Sequence, residues 1–292
     1  MPTRHHLCLG YSAARRSAAI GPVVGACLLL LLGLLSISLP ALAARHTVAG
    51  WGMEQGLPHN LVQSVAQGSD GFIWLGTWEG VVRFNGRSFT VFDRQNTPGA
   101  ELSGVLSILP EANGGMLFGT VSNGIYRYRN GQWQALGGND ARNLSINALA
   151  RDAAGSLWIG SKDRLLRMQA NGQLLDEGRA LGLPQVAVTT LRWAGDGSLL
   201  VGTEEGVYQL RDGRLQQWPA ARALVVRDMV SDLAGGWILA ADDGIHHFHA
   251  DGRQQHLLVG ERVDAVRRGV CSGCMAIRWR RSTFPARSVP RC

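Results

Sequence analysis

Between positions 44 and 261 the sequence contains no cysteine: Cys8, Cys27, Cys271, Cys274 and Cys292 all lie outside that stretch. Disulfide stapling of these residues is thereby excluded. Lysine is nearly absent too, with Lys162 alone against a large excess of arginine. Positive charge is confined to the ends, because the total of +7 divides into +3 for residues 1–43, +7 for residues 262–292 and −3 for residues 44–261. A mildly acidic middle offers no stripe for neutralising phosphates, so nucleic acid is excluded as its partner. No segment spaces apolar residues at three and four over ten positions, which removes helical repeats from consideration.

The ends carry signals of their own. Arg15 and Arg16 precede an apolar run over 23–39, followed by Ala41-Leu42-Ala43. This reads as a signal peptide cleaved before Ala44, or, uncleaved, as an inner-membrane anchor. Either places residues 44–261 in the periplasm or outside the cell, and the arginine excess is bacterial in character. Asn143-Leu144-Ser145 is then an idle glycosylation sequon. At the other end, Cys271-Ser272-Gly273-Cys274 has the spacing of half a zinc site or a redox pair, but no second pair accompanies it. Residues 267–292, rich in Arg, Ser, Pro and Cys, read as the out-of-frame tail of a truncated gene or as a disordered basic tail.

What fills the middle is repetition. Five short apolar cores end at Gly76, Gly119, Gly160, Gly202 and Ala240, and five turn pairs recur as Asn85-Gly86, Asn130-Gly131, Asn171-Gly172, Asp212-Gly213 and Asp251-Gly252. Both landmarks share a period of about forty residues. The cores run three or more apolar residues together, which suits a strand buried on both faces. Glycine-marked hairpins flank each core, and the Asx-Gly pairs suit type I′ turns leading to an outer strand at Phe89, Trp133, Leu174 or Leu215. One such unit cannot cover its own faces, so copies must stack around an axis. The sequence therefore predicts an all-β fold, a β-propeller of four-stranded antiparallel blades. About five blades are present and the ring is incomplete, since residues 262–266 read as the opening strand of a sixth.

Gly56-Leu57-Pro58-His59-Asn60, Val65, Asp70-Gly71, Trp74-Leu75-Gly76-Thr77, Gly80-Val81 and Arg83-Phe84-Asn85-Gly86 together resemble the two-component regulator propeller repeat. The resemblance implies a periplasmic sensor whose output module, a histidine kinase or diguanylate cyclase in such proteins, is missing from this chain. It implies a non-catalytic protein with no cofactor, a small-molecule ligand and signal transduction as its role. The alternatives are a secreted propeller lyase or hydrolase and a scaffold for another protein.

In a propeller the loops joining second to third strands, and one blade to the next, gather around the central channel. That places His59, Asn60, Trp78, Glu79, Asn123, Lys162, Asp163, Glu204, Glu205, Asp242 and Asp243 as candidate ligand-binding residues. Solvated loop polarity accounts for each taken singly. Neighbours such as Glu204-Glu205 seldom converge on one atom, so neither catalytic residues nor a metal site are expected from them. His247 and His249 fall on one face of a strand, without a third ligand in view.

Overall fold

A computed structural model of the chain describes residues 50–232 and 234–266. The signal segment, the Cys271/Cys274 pair and the basic tail lie outside the described residues. Blade one consists of β1 (Val62–Gln67), β2 (Ile73–Thr77), β3 (Gly80–Phe84) and β4 (Phe89–Phe92). Blade two follows with β5 (Val105–Pro110), β6 (Met116–Thr120), β7 (Ile125–Arg129) and β8 (Gln132–Leu136), and blade three with β9 (Ile146–Arg151), β10 (Leu157–Ser161), β11 (Leu165–Met168) and β12 (Leu174–Asp176). Blade four holds β13 (Val188–Trp193), β14 (Leu199–Thr203), β15 (Gly206–Arg211) and β16 (Arg214–Gln217); blade five holds β17 (Val226–Ser231), β18 (Trp237–Ala241), β19 (Gly244–Phe248) and β20 (Gln254–Val259). Each blade is a four-stranded antiparallel meander in chain order, and the chain is a five-bladed β-propeller.

The second strand of each blade explains why the sheets stack. β6, β10 and β14 are buried along their whole length, as the unbroken apolar runs require. Side chains such as Ile159, fully buried, contribute about 2 kcal/mol each by leaving water. The glycine ending each of the first four cores serves blade-to-blade packing: a Cβ on Gly160 would lie 2.5 Å from Val188 Cγ1 of the next inner strand, and one on Gly119 would lie 2.5 Å from Ile146 Cγ2. Blades one and two add a shared aromatic layer, with Trp74 5.8 Å from Phe92 and 5.5 Å from Phe118, ring centre to ring centre.

Inner strands pack in succession, β1 on β5, β5 on β9, β9 on β13 and β13 on β17. Among the described residues no contact of that extent joins β17 back to β1. The first blade shows the consequence, since Val65 is 51% exposed while Leu191 and Met229 at the same repeat position are 2% and 0% exposed. The last blade is covered instead. Val263 and Val266 are fully buried against Ile238, Ala240 and Ile245, and the Val263 N–H donates to the Ala241 carbonyl at 2.9 Å. Residues 262–266 thus dock where a sixth inner strand would begin, although they form no ladder.

The type I′ expectation holds for two of the five outer hairpins. Asn130-Gly131 and Asp212-Gly213 have positive φ at both residues and close two-residue loops. At Asn85, Asn171 and Asp251 the loops are longer and only the glycine is left-handed. There the Asx side chain accepts backbone N–H groups, from Arg87 and Ser88, from Gln173 and from Arg253. The same dipeptide serves both because the Asx oxygen substitutes for the missing ladder bond.

Candidate functional site

In the first four blades the loop between second and third strands is fixed by one buried hydroxyl. Thr77, Thr120, Ser161 and Thr203 donate to the carbonyls of Gly80, Gly124, Arg164 and Gly206 at 2.9–3.1 Å. Each hydroxyl oxygen also accepts a loop N–H, from Glu79, Asn123, Arg164 and Glu205 respectively. Blade five has Ala241 at this position, and its loop is held by charge instead.

That charge comes from a residue displaced out of the strand rhythm. In every blade the register between first and second strands slips by one near the start of the inner strand. The extra residues are Gln63, Leu106, Asn147, Thr189 and Arg227. A bulge takes one residue out of the ladder and re-aims its side chain. Asn147 Nδ2 donates to the Val188 carbonyl at 3.2 Å, and Thr189 Oγ1 lies 2.7 Å from the Val226 carbonyl, so these two tie each inner strand to the next blade. Arg227 crosses between blades as well: its Nε and Nη2 reach the two Asp242 carboxylate oxygens at 2.7 Å each, and Nη1 reaches Glu204 at 3.3 Å. Arg262 joins from the far side, 3.4 Å from Asp242 and 2.7 Å from Asp264.

The bond from Arg227 is the main influence on the Asp242 carboxyl and, against the opposing effect of burial, holds it below the usual aspartate value. The same bond raises the Arg227 guanidinium above its ordinary value. Glu204 and Glu205 also line a cavity of about 460 Å³ with Tyr208, Gln217 and Arg222. Burial, reinforced by the Glu205 charge, pushes the Tyr208 phenol up. Asp243 pairs with His246 at 2.8 Å, a ring packed against Phe248 and His256.

The other sequence-predicted residues stand on the same rim without converging. His59 Nδ1 accepts the Leu61 N–H, and Asn60 Oδ1 accepts that of Met53, which shapes the entry loop locally. The exposed Trp78 offers its carbonyl to the Gly104 N–H. Glu79 is exposed. Asn123 Nδ2 donates to the Glu101 carbonyl at 3.2 Å. Asp163 accepts from Ser161 and Arg164, and Lys162 is exposed beside it. Only Glu204 and Asp242 share a partner, and that partner, Arg227, was missed from sequence together with Arg262. The charge of Arg227 is plain in the sequence, but its place in the bulge, and so its reach to two blades, is not.

At the opposite end of the blades, the hairpins between first and second strands hold acids of their own. Glu111 is bound by Arg127 and Arg151 at 2.9 and 2.6 Å, and Asp152 accepts from the Trp158 indole at 3.1 Å. Asp232 supplies the third group beside His247 and His249.

Comparison with known proteins agrees with this geometry. Residues 56–79, from the loop before β1 through the β2–β3 turn, match the family model described as Two component regulator propeller. Those residues are similar to a regulator propeller repeat. Solved structures similar to the chain include the extracellular domains of two proteins from B. thetaiotaomicron described as hybrid two component systems. The first has a TM-score of 0.66 at 19% identity, over 82% of this chain and 34% of that one. The second has a TM-score of 0.64 at 18% identity, over 80% of this chain and 33% of that one. The chain thus spans about a third of the length of these domains. An inactive variant of virginiamycin B lyase from Staphylococcus aureus, solved with quinupristin, has a TM-score of 0.59 at 13% identity, over 77% of this chain and 83% of that one. At such identities the likeness is one of fold. No curated protein sequence matches the chain. Among the described residues no helix is long and apolar enough to cross a membrane.

Proposed function

We propose that this chain is the extracytoplasmic sensing propeller of a signal-transduction receptor, non-catalytic in itself. The match of residues 56–79 to the regulator propeller model carries the reading. Likeness to extracellular domains of hybrid two component systems supports it. Export through the N-terminal segment delivers the rim to the periplasm, and the anchor, where it is retained, holds the propeller at the inner membrane. The ligand is a small polar molecule bound at the rim around Arg227, where it competes with Glu204 and Asp242 for the guanidinium.

The test is a thermal-shift screen of the purified chain against sugars and other small polar molecules, repeated on Arg227→Ala. A ligand at a hundred times its Kd stabilises by about 2.7 kcal/mol. The expected result is stabilisation by one chemical class, lost in the variant, with the compound recovered unchanged. Turnover of the compound, or stabilisation that survives the loss of Arg227, overturns the reading.

A further inference from the structure

Blade five departs from its four siblings at one position of its third strand and at another just past the strand's end. The residue facing the middle of the second strand is Arg83, Arg127, Arg167 or Gln209 in the other blades, and His247 here. Two residues further on stand Asn85, Arg129, Gln169 and Arg211, and here His249. His249 follows the last residue of β19 and stays on the side of His247, the two imidazole rings lying 3.7 Å apart, centre to centre. Both turn toward Asp232, at the hairpin between β17 and β18, whose side chain is 3% exposed.

The carboxylate is held for use from one side only. Its Oδ1 accepts the N–H groups of Ala234 at 2.8 Å and Gly236 at 2.6 Å, which leaves Oδ2 directed at His247 Nε2, 2.7 Å away. Gly236 has to be glycine, because a Cβ there would lie 2.5 Å from both Asp232 Oδ2 and the Phe248 carbonyl. One ligand atom from each of Asp232, His247 and His249 lies within 4.8 Å of the other two.

We propose that Asp232, His247 and His249 bind a divalent transition-metal ion of the zinc type. Two imidazoles and one carboxylate are the donors such an ion accepts at about 2.0–2.2 Å, and the ion enters by replacing the 2.7 Å hydrogen bond between Asp232 Oδ2 and His247 Nε2. Magnesium and calcium are disfavoured, since they take six or more oxygens and the cluster presents one carboxylate. Three protein ligands leave a fourth position open. His249 also lines a cavity of about 500 Å³ with Asp196, Trp218 and Trp237, between blades four and five, through which a small donor molecule reaches that position. The site lies at the opposite end of the blade from Arg227 and is independent of the sensing role.

The competing account is a carboxylate–histidine clip that does in blade five what Glu111 and Arg127 do in blade two. Zinc titration by calorimetry, with a thermal melt alongside, separates the two. The full chain is used with Cys271→Ser and Cys274→Ser, which remove thiols able to take zinc themselves, after stripping with chelator. One zinc per chain and a raised Tm are expected. His249→Asn, which installs the residue of blade one, and His247→Arg, which installs that of blade two, each weaken binding about tenfold or more. His247→Arg keeps Asp232 paired, so its metal-free Tm stays near that of the parent. No zinc uptake by the parent, or uptake unchanged in both variants, overturns the proposal.

Discussion

Arg227 stands between carboxylates of different blades, and its worth depends on pH in a direction that can be worked out. The Asp242 carboxyl titrates below its ordinary value because Arg227 binds its anion. The folded state therefore holds fewer protons than the unfolded chain as the pH falls through about 4, and the pairing's contribution is full above that value and lost below it. With the Arg227 side chain 21% exposed and that of Asp242 36% exposed, solvent screening limits the contribution to about 1 kcal/mol or less. Urea denaturation should show Arg227→Ala less stable than the parent at pH 7, with the gap closing toward pH 3 and below. The carboxylates of this cluster were legible in the sequence as loop residues after a core strand. Arg227 was not, because nothing in Val226-Arg227-Asp228 distinguishes a bulge from ordinary alternation, and no glycine marks the slip. Asp232 was hidden for a related reason: it precedes His247 by a full hairpin, and only the fold returns the turn to the strand.

The second strands were the most legible elements, since their apolar runs admit no exposed face. Their terminal glycines carry a requirement that only packing reveals. Gly160→Ala sets a methyl 2.5 Å from Val188 Cγ1 and 3.0 Å from its Cβ, and a β-branched side chain has little freedom to yield. Overpacking of this kind costs about 1–3 kcal/mol. A lowered Tm with unchanged strand content by circular dichroism is expected, whereas Ala at Gly155, where a Cβ meets nothing within 4 Å but φ is +88°, loses stability through backbone strain alone. The short helices Gly138–Ala141 and Glu177–Leu181 were not anticipated. Each is about one turn long, too brief for periodicity to register, and the second is capped by Asp176 accepting the Arg179 N–H.

Across the whole molecule, the two ends of the arc differ. Residues 262–266 cover blade five, and Ala240 takes the place of the glycine there. Blade one has no such cover among the described residues, and Trp51, Met53, Leu61 and Val65 are exposed along it. An apolar sheet face left open promotes self-association. Val65→Glu should therefore reduce concentration-dependent aggregation, followed by light scattering, with little change in Tm. Leu191→Glu, the same repeat position inside the stack, should unfold the protein. The slipped residue in each inner strand has a different reach. It stands outside the alternation of its sheet, and Asn147, Thr189 and Arg227 each use that freedom to reach the neighbouring blade, so a substitution there acts on the seam between two blades and leaves both ladders intact.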